Sequence, residues 1–311
     1  MRYVLFDPAL EGVSQEEIQL LLRQHAGPEF IATGLSDAPL EKVEIWINPE
    51  HELDVSLIDS LPNLRMISLA FTGHEKVDVP YLRSRGLEVY YVPNYSTDSV
   101  AELTIGLTLS VLRKIADCDK NVRAGTWNKG VDPGIELHKK EVAILGTGTI
   151  GIASAKLYRA FGCEVVGWAA GHEKQAFRDL GLRYKQDLSE VFAQSDIIAL
   201  HLPVTAETRH IVGFDLLQLM KPTSVLVNTS RSELVDTNAL VRTLTGRPTL
   251  RAAIDVVDVE PLVDGRLLKL NNILISPHMG FRTKEALRRL AEEAIRNICR
   301  FQGGSSDNLL K

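Results

Sequence analysis

Cysteine is scarce: Cys118, Cys163 and Cys299 are the three in 311 residues, and they share no paired spacing. An odd, scattered set excludes a disulfide framework and a cysteine-built zinc site, and reads as reduced intracellular thiols. An excess of basic charge is lacking too. Lys and Arg number 35 against 40 Asp and Glu, a formal net charge of -5, with no concentrated basic block. Neutralising the phosphates of nucleic acid or of an anionic membrane surface takes such a block, so neither partner is expected. No apolar run approaches the roughly 20 residues that span a bilayer; the most apolar stretch, 99–112, is interrupted by Glu102. The start, Met1 to Asp7, enters a strand pattern at once, without the layout of a signal peptide, and a cytoplasmic protein is expected. His74, His138, His201 and His210 are scattered without carboxylates or thiols at ligand spacing, so no metal site is expected. There is no solenoid-type repeat and no low-complexity segment.

What is present suits two globular cores. Hydrophobic residues make up 45% and charged residues 24% of the chain, ordinary usage for a globular protein, and the length suggests two domains at roughly 100–200 residues each. Short apolar runs at 3–7, 43–48, 66–71 and 87–93 alternate with helical patterns. Ser14-Gln15-Glu16-Glu17 is a capping box that opens a helix with Ile18, Leu21 and Leu22 on one face. Strands that alternate with helices imply a parallel sheet covered on both faces. A long helix, 98–118, follows; it is apolar nearly all round, as expected of a helix buried between layers or subunits. Gly125, Gly130, Pro133 and Gly134 then mark a loop. A second alternating unit starts at Glu141, with strands at 141–145, 163–168, 196–203, 224–229, 251–257 and 273–276. One amphipathic helix runs from 283 to about 301, ends at Gly303-Gly304, and is expected to pack back onto the first lobe. Cys163 is expected in the core, and Trp127 is expected to pack.

The strand 141–145 leads directly into Gly146-Thr147-Gly148-Thr149-Ile150-Gly151, and a helix follows. Gly146 permits a tight turn, Gly148 lets the backbone approach a pyrophosphate, and Gly151 allows close packing of helix and strand. The helix N-terminus offers unsatisfied N–H groups and a positive dipole end to phosphate. With a second strand at 163–168, this is a dinucleotide site in context. The second strand usually ends in an acid that holds the adenosine ribose. Here it ends in Trp168-Ala169-Ala170-Gly171-His172, so Ala169 leaves NAD and NADP both open, and His172 or Lys174 could approach a 2′-phosphate.

Several segments occur together in order: Val100-Ala101-Glu102, the glycine turn, Asn228-Thr229-Ser230-Arg231 followed by Val235-Asp236, Asp255-Val256 followed by Glu260-Pro261, and Ser276-Pro277-His278-Met279-Gly280. From about 65 to 301 the chain resembles the D-isomer-specific 2-hydroxyacid dehydrogenases. The resemblance implies an α/β protein of two doubly wound lobes, a Rossmann NAD(P)-binding domain (98–283) inserted in a discontinuous flavodoxin-like substrate domain (1–97 plus 284–311). Closure of a cleft between such lobes expels water before hydride transfer. It also implies reversible, D-stereospecific interconversion of a small 2-hydroxy acid and its 2-oxo acid with NAD or NADP, NAD being the family default, and a homodimer through the helix 98–118.

The residue types suit that chemistry. Reduction of an oxo acid needs a proton at the carbonyl oxygen, and His278 can donate and recover it near neutral pH. A neighbouring carboxylate, Glu260 by the resemblance, stabilises the imidazolium. Arg231 offers a forked guanidinium to the substrate carboxylate. The resemblance further implies Thr72-Gly73 as a carboxylate-binding turn and Tyr95 as a residue lining the cleft. It places Gly146, Gly148, Thr149, Ile150 and Gly151 at the pyrophosphate and Leu202, Pro203 and Thr208 beside the adenosine half. Thr229, Ser230, Arg231, Asp255, His278 and Gly280 fall around the nicotinamide, with Asp255 near the carboxamide. Ser232 and Lys139 stand where the family often has glycine. A formate dehydrogenase would pair its histidine with glutamine, and Glu260 is here. The alternative is a dinucleotide-sensing binding protein, like the family's transcriptional corepressors, with an exposed peptide groove on the first lobe.

Overall fold

A computed structural model describes residues 1–311 except Pro8, His51, Glu52, Glu75 and His172. The chain forms two compact units, Met1–Ser96 with Phe281–Lys311, and Thr97–Gly280. His172, one of the two residues expected near a 2′-phosphate, lies outside the described residues.

In the first unit, β1 (Arg2–Phe6), β2 (Phe30–Thr33), β3 (Val43–Asn48), β4 (Met66–Leu69) and β5 (Glu88–Tyr91) form a parallel sheet in the order β2-β1-β3-β4-β5. This is the flavodoxin-like order. The helix α1 (Gln15–His25) opens on the Ser14 capping box, with the Glu17 carboxylate accepting from the Ser14 N–H, and buries Ile18, Leu21 and Leu22. The sequence pattern shows no strand at 30–33, because four residues carry too little periodicity. A distant side chain completes it: Gln19 of α1 donates to the Phe30 carbonyl at 3.0 Å and accepts from the Ala32 N–H at 2.9 Å, so the outer edge of β2 is satisfied. Helices α2 (Val55–Ser60) and α3 (Val79–Ser84) complete this part of the chain.

The C-terminal helix Lys284–Gly303 belongs to this first unit. Thr283 caps it by accepting from the Ala286 N–H, and Gly304 ends it in the left-handed region at φ 67°. Ala286, Leu287, Leu290, Ala291, Ala294, Ile295 and Ile298 recur at three- and four-residue intervals and join one core with Val4, Ile45, Met66 and Tyr90. A buried polar tie fixes the register: Ser68 of β4 donates to the Ala294 carbonyl, and Asn297 donates to the Ser68 hydroxyl and the Tyr91 carbonyl.

In the second unit, seven parallel strands are β6 (Glu141–Leu145), β7 (Glu164–Trp168), β8 (Arg183–Tyr184), β9 (Ile197–Leu200), β10 (Val225–Asn228), β11 (Arg251–Ile254) and β12 (Ile273–Ile275). Their order is β12-β11-β10-β9-β6-β7-β8. The chain winds from β6 outward through β7 to β8, then crosses back to β9 and winds the other way. This is the Rossmann arrangement, and the reversal of strand order beside β6 is where such sheets bind ligands. Strands β9 and β10 are buried at every position, which is why they read as unbroken apolar runs.

Two expectations are corrected here. The single helix expected over 98–118 is two, α4 (Thr97–Arg113) and α5 (Ile115–Arg123), because Lys114 sits in the left-handed region at φ 54° and breaks the hydrogen-bond ladder. Trp127, expected to pack, is 70% exposed. Cys163 is buried, and burial pushes its thiol up to about 11, which makes it an inert core residue. No helix among the described residues is long and apolar enough to cross a membrane.

Candidate active site

The glycine turn joins β6 to the helix α6 (Thr149–Ala160). Gly146 has φ 97°, and a Cβ there would overlap the backbone carbonyl of His201, which follows β9. A Cβ on Gly151 would overlap the carbonyl oxygen of Gly146, so this glycine lets α6 start directly under the turn. Gly148 differs: a Cβ there meets no protein atom within 4 Å. It is also the N-cap of α6, and no side chain among the described residues caps the helix. The first-turn N–H groups therefore look onto open space that the chain keeps clear of a methyl group. That is the fit a pyrophosphate requires. A cavity of about 570 Å³ opens beside the turn, lined among others by Asp98 and Glu102 of α4, by Thr147, Gly148 and Thr149, and by Lys174.

The remaining candidates of this unit follow strand ends. After β10, Asn228 accepts from the Ser230 N–H and donates to the Arg231 carbonyl, so its amide holds the loop from which Arg231 projects. After β9, Leu202 is buried, and its carbonyl accepts from the Ser230 hydroxyl at 2.8 Å. Thr208 is buried and donates to the Pro203 carbonyl at 2.6 Å while accepting from the Thr205 N–H. It closes a loop and caps no helix. After β11 and β12 come Glu260 and His278, whose Oε2 and Nδ1 lie 2.8 Å apart with side chains 41% and 34% exposed. At that exposure the pair adds little stability; its consequence is orientation, since a carboxylate on Nδ1 fixes the ring and its tautomer.

In the first unit, taken by itself, Thr72 donates from its hydroxyl to the Val92 carbonyl at 2.7 Å, and the His74 ring nitrogen Nδ1 lies 3.1 Å from the Thr72 carbonyl. Tyr95 is buried in the core packed around the C-terminal helix, and its carbonyl accepts from Arg289.

The model of the D-isomer specific 2-hydroxyacid dehydrogenase NAD-binding domain matches residues 105–280, more than half of the chain. This chain belongs to the D-2-hydroxyacid dehydrogenase family. A glyoxylate reductase of Thermofilum pendens is 36% identical over 252 residues, which cover 79% of this chain and 74% of that one. A D-3-phosphoglycerate dehydrogenase of Methanocaldococcus jannaschii is 32% identical over 298 residues, 93% of this chain and 56% of that one. The crystal structure of an Aquifex aeolicus D-lactate dehydrogenase with NAD and lactic acid superimposes at a TM-score of 0.80 with 26% identity, covering 99% of each chain. The reaction class of this family member is nicotinamide-dependent 2-hydroxyacid dehydrogenation. The relatives named are reductases and dehydrogenases, which does not favour the corepressor-like alternative.

The departures from the D-2-hydroxyacid dehydrogenase pattern now have a structural reading. Lys139 has φ 59°, the left-handed backbone that favours glycine, so lysine stands there under strain. Ser232 begins a short 3₁₀ turn, Ser232–Leu234, and its side chain needs no special backbone. Beyond Ala169, the nearest described acid is Glu173, whose carboxylate is taken up by Arg178 and Gln186. The Lys174 N–H donates to the Tyr184 hydroxyl, which donates in turn to Thr147 at 2.6 Å, so the segment carrying Lys174 is tied to the glycine turn.

Sequence reasoning missed the supports. Thr229 is buried, with its hydroxyl 2.8 Å from that of Thr104 on α4. His201 Nε2 and Ser154 Oγ are buried without a hydrogen-bond partner among the described residues. Although the His201 residue as a whole is part exposed, its ring is enclosed, and burial disfavours its charged form and lowers its pKa to about 4. No local signal marks the contact of Thr229 with Thr104 or the enclosure of His201 and Ser154, because the surroundings come from other strands and helices.

Proposed function

We propose that this chain interconverts a small 2-oxo acid and its D-2-hydroxy acid, with His278 as the acid and base, Glu260 as its partner and Arg231 as the carboxylate anchor. The contact between His278 Nδ1 and Glu260 Oε2 carries the reading. With Nδ1–H directed at the carboxylate, Nε2 is the nitrogen that gives its proton to the carbonyl oxygen in reduction and takes it back in oxidation. Glu260 stabilises the imidazolium and holds the ring in place. Arg231 donates two parallel N–H bonds to the substrate carboxylate and draws charge from the carbonyl. In the first unit, the family resemblance makes the Thr72-Gly73 backbone a candidate carboxylate-binding turn.

A nicotinamide, when bound, supplies or accepts the hydride. Gly146, Gly148, Thr149, Ile150 and Gly151 hold its pyrophosphate. Leu202, Pro203 and Thr208 form the adenosine side, while Thr229, Ser230 and Gly280 lie on the nicotinamide side. With Ala169 at the end of β7 and the Glu173 carboxylate held by Arg178 and Gln186, no acid stands at the usual ribose-binding position, and Lys174 lies near the turn. Both NAD and NADP are therefore accepted, with affinities within about tenfold (roughly 1.4 kcal/mol). Glyoxylate, the substrate in the name of the Thermofilum relative, is the first acid to try. Exposed apolar side chains at Ile115, Val122 and Trp127 support assembly as a homodimer.

The test is a panel of 2-oxo acids run with NADH and NADPH in parallel on the wild type and on His278→Ala. Wild-type turnover of at least one acid is expected, with a loss of about 10²–10⁴-fold in the variant and unchanged cofactor binding. A variant that turns over every accepted acid as the wild type does removes His278 from the chemistry.

A further inference from the structure

His278 has φ 51°, a left-handed backbone that a non-glycine residue keeps only where its surroundings enforce it. The surroundings converge on one residue, Asp255, which follows β11. Its carboxylate is 1% exposed. Oδ1 accepts from the Ser276 hydroxyl at 2.5 Å and from the Met279 N–H at 2.9 Å, and Oδ2 accepts from the Gly280 N–H at 2.8 Å. The backbone carbonyl of Asp255 takes the His278 N–H at 2.8 Å. Residues 276, 278, 279 and 280 are thus all tied to Asp255, one before the ring residue, two after it and its own backbone.

A buried carboxylate is costly unless donors replace its water, and here three donors do, all of them from the segment that carries His278. The geometry points to Asp255 as a positioning residue: its carboxylate clamps the segment 276–280 and so sets where the His278 ring meets Glu260. This inference rests on His278 being the acid and base. It departs from what the family resemblance implies, a residue acting mainly on the nicotinamide carboxamide. Gly280 completes the clamp, since a Cβ there would stand 3.1 Å from Asp255 Oδ2 and 3.3 Å from a Val100 methyl.

Asp255→Asn keeps the shape and turns one acceptor into a donor that faces an N–H or the Ser276 hydroxyl. With NADH and the accepted oxo acid, kcat is expected to fall 10- to 100-fold. NADH affinity, read by direct titration, stays within about twofold, and the kcat–pH profile for reduction changes as contact with Glu260 is lost. Ser276→Ala removes one donor and leaves the carboxylate in place. It keeps the proposal testable if the first variant fails to fold, and a several-fold fall in kcat at constant NADH affinity is expected. Loss of NADH affinity with kcat and the pH profile retained at saturation, in either variant, overturns the proposal and makes Asp255 a cofactor ligand. A His278→Ala enzyme with full activity, measured alongside, would instead bring down the underlying catalytic reading.

Discussion

Replacing glycines of the turn one at a time separates the part of the phosphate cradle that serves folding from the part that serves the ligand. Gly148 has φ -74° and ψ -168°, extended backbone that alanine adopts freely, and its added Cβ meets nothing within 4 Å. Gly148→Ala therefore leaves the fold intact. Removing glycine's freedom from the unfolded chain adds about 0.4–1 kcal/mol, a rise of about 1–3 °C in Tm. The same methyl group occupies the space a pyrophosphate needs over the α6 N-terminus. Losing one charge-assisted hydrogen bond there costs about 1.5–3 kcal/mol, so NADH binding weakens roughly 10- to 100-fold. Gly151→Ala behaves in the opposite way. Its Cβ overlaps the Gly146 carbonyl and lies 3.2 Å from an Ile144 methyl, and an overlap inside a packed core costs about 1–3 kcal/mol, a fall of roughly 2–10 °C. Calorimetric melting and NADH titration on both variants decide the matter. An unchanged NADH Kd in Gly148→Ala, or a Tm loss equal to that of Gly151→Ala, refutes the assignment of Gly148 to the pyrophosphate.

Other outcomes follow from the same structure. Arg231→Lys keeps the charge and loses the planar fork, and forfeiting one charge-assisted hydrogen bond lowers kcat/KM for the oxo acid roughly 10- to 100-fold; steady-state kinetics read it, and a wild-type value removes Arg231 as the anchor. Lys139→Gly relieves a left-handed lysine worth about 1–2 kcal/mol and gives back about 0.5–1 kcal/mol of chain entropy, so Tm rises by about 1–3 °C; a fall shows that the lysine side chain contributes more than its strain. His201 is held neutral by burial, its pKa lowered from the ordinary 6.5 to about 4. The unfolded chain binds this proton first, so the contribution of His201 is present above about pH 6.5 and lost as pH falls toward 4. The Tm of the wild type should drop more between pH 7 and pH 5 than that of His201→Gln, and parallel curves would show that the ring gains its proton without cost.

Much of the architecture was legible without coordinates because it is written in local terms. The capping box at Ser14 and the three- and four-residue spacing from Ala286 to Ile298 need no distant partner to be recognised. Neither does the strand–glycine turn–helix at Gly146, since Gly146 and Gly151 answer constraints from the turn itself and the strands beside it. The resemblance carried by the segments around Arg231, Glu260 and His278 named candidate side chains. The tertiary structure decided which of them touch. It set the 2.8 Å contact of His278 with Glu260, across 18 residues, and the convergence of the segment 276–280 on Asp255, 21 to 25 residues away. It brought Thr104 to Thr229 across 125 residues, completed β2 through Gln19, and broke the expected long helix at Lys114. Hydrogen bonds of this kind carry no periodicity and no spacing rule; they exist only once each unit has folded and brought distant stretches of its own chain together.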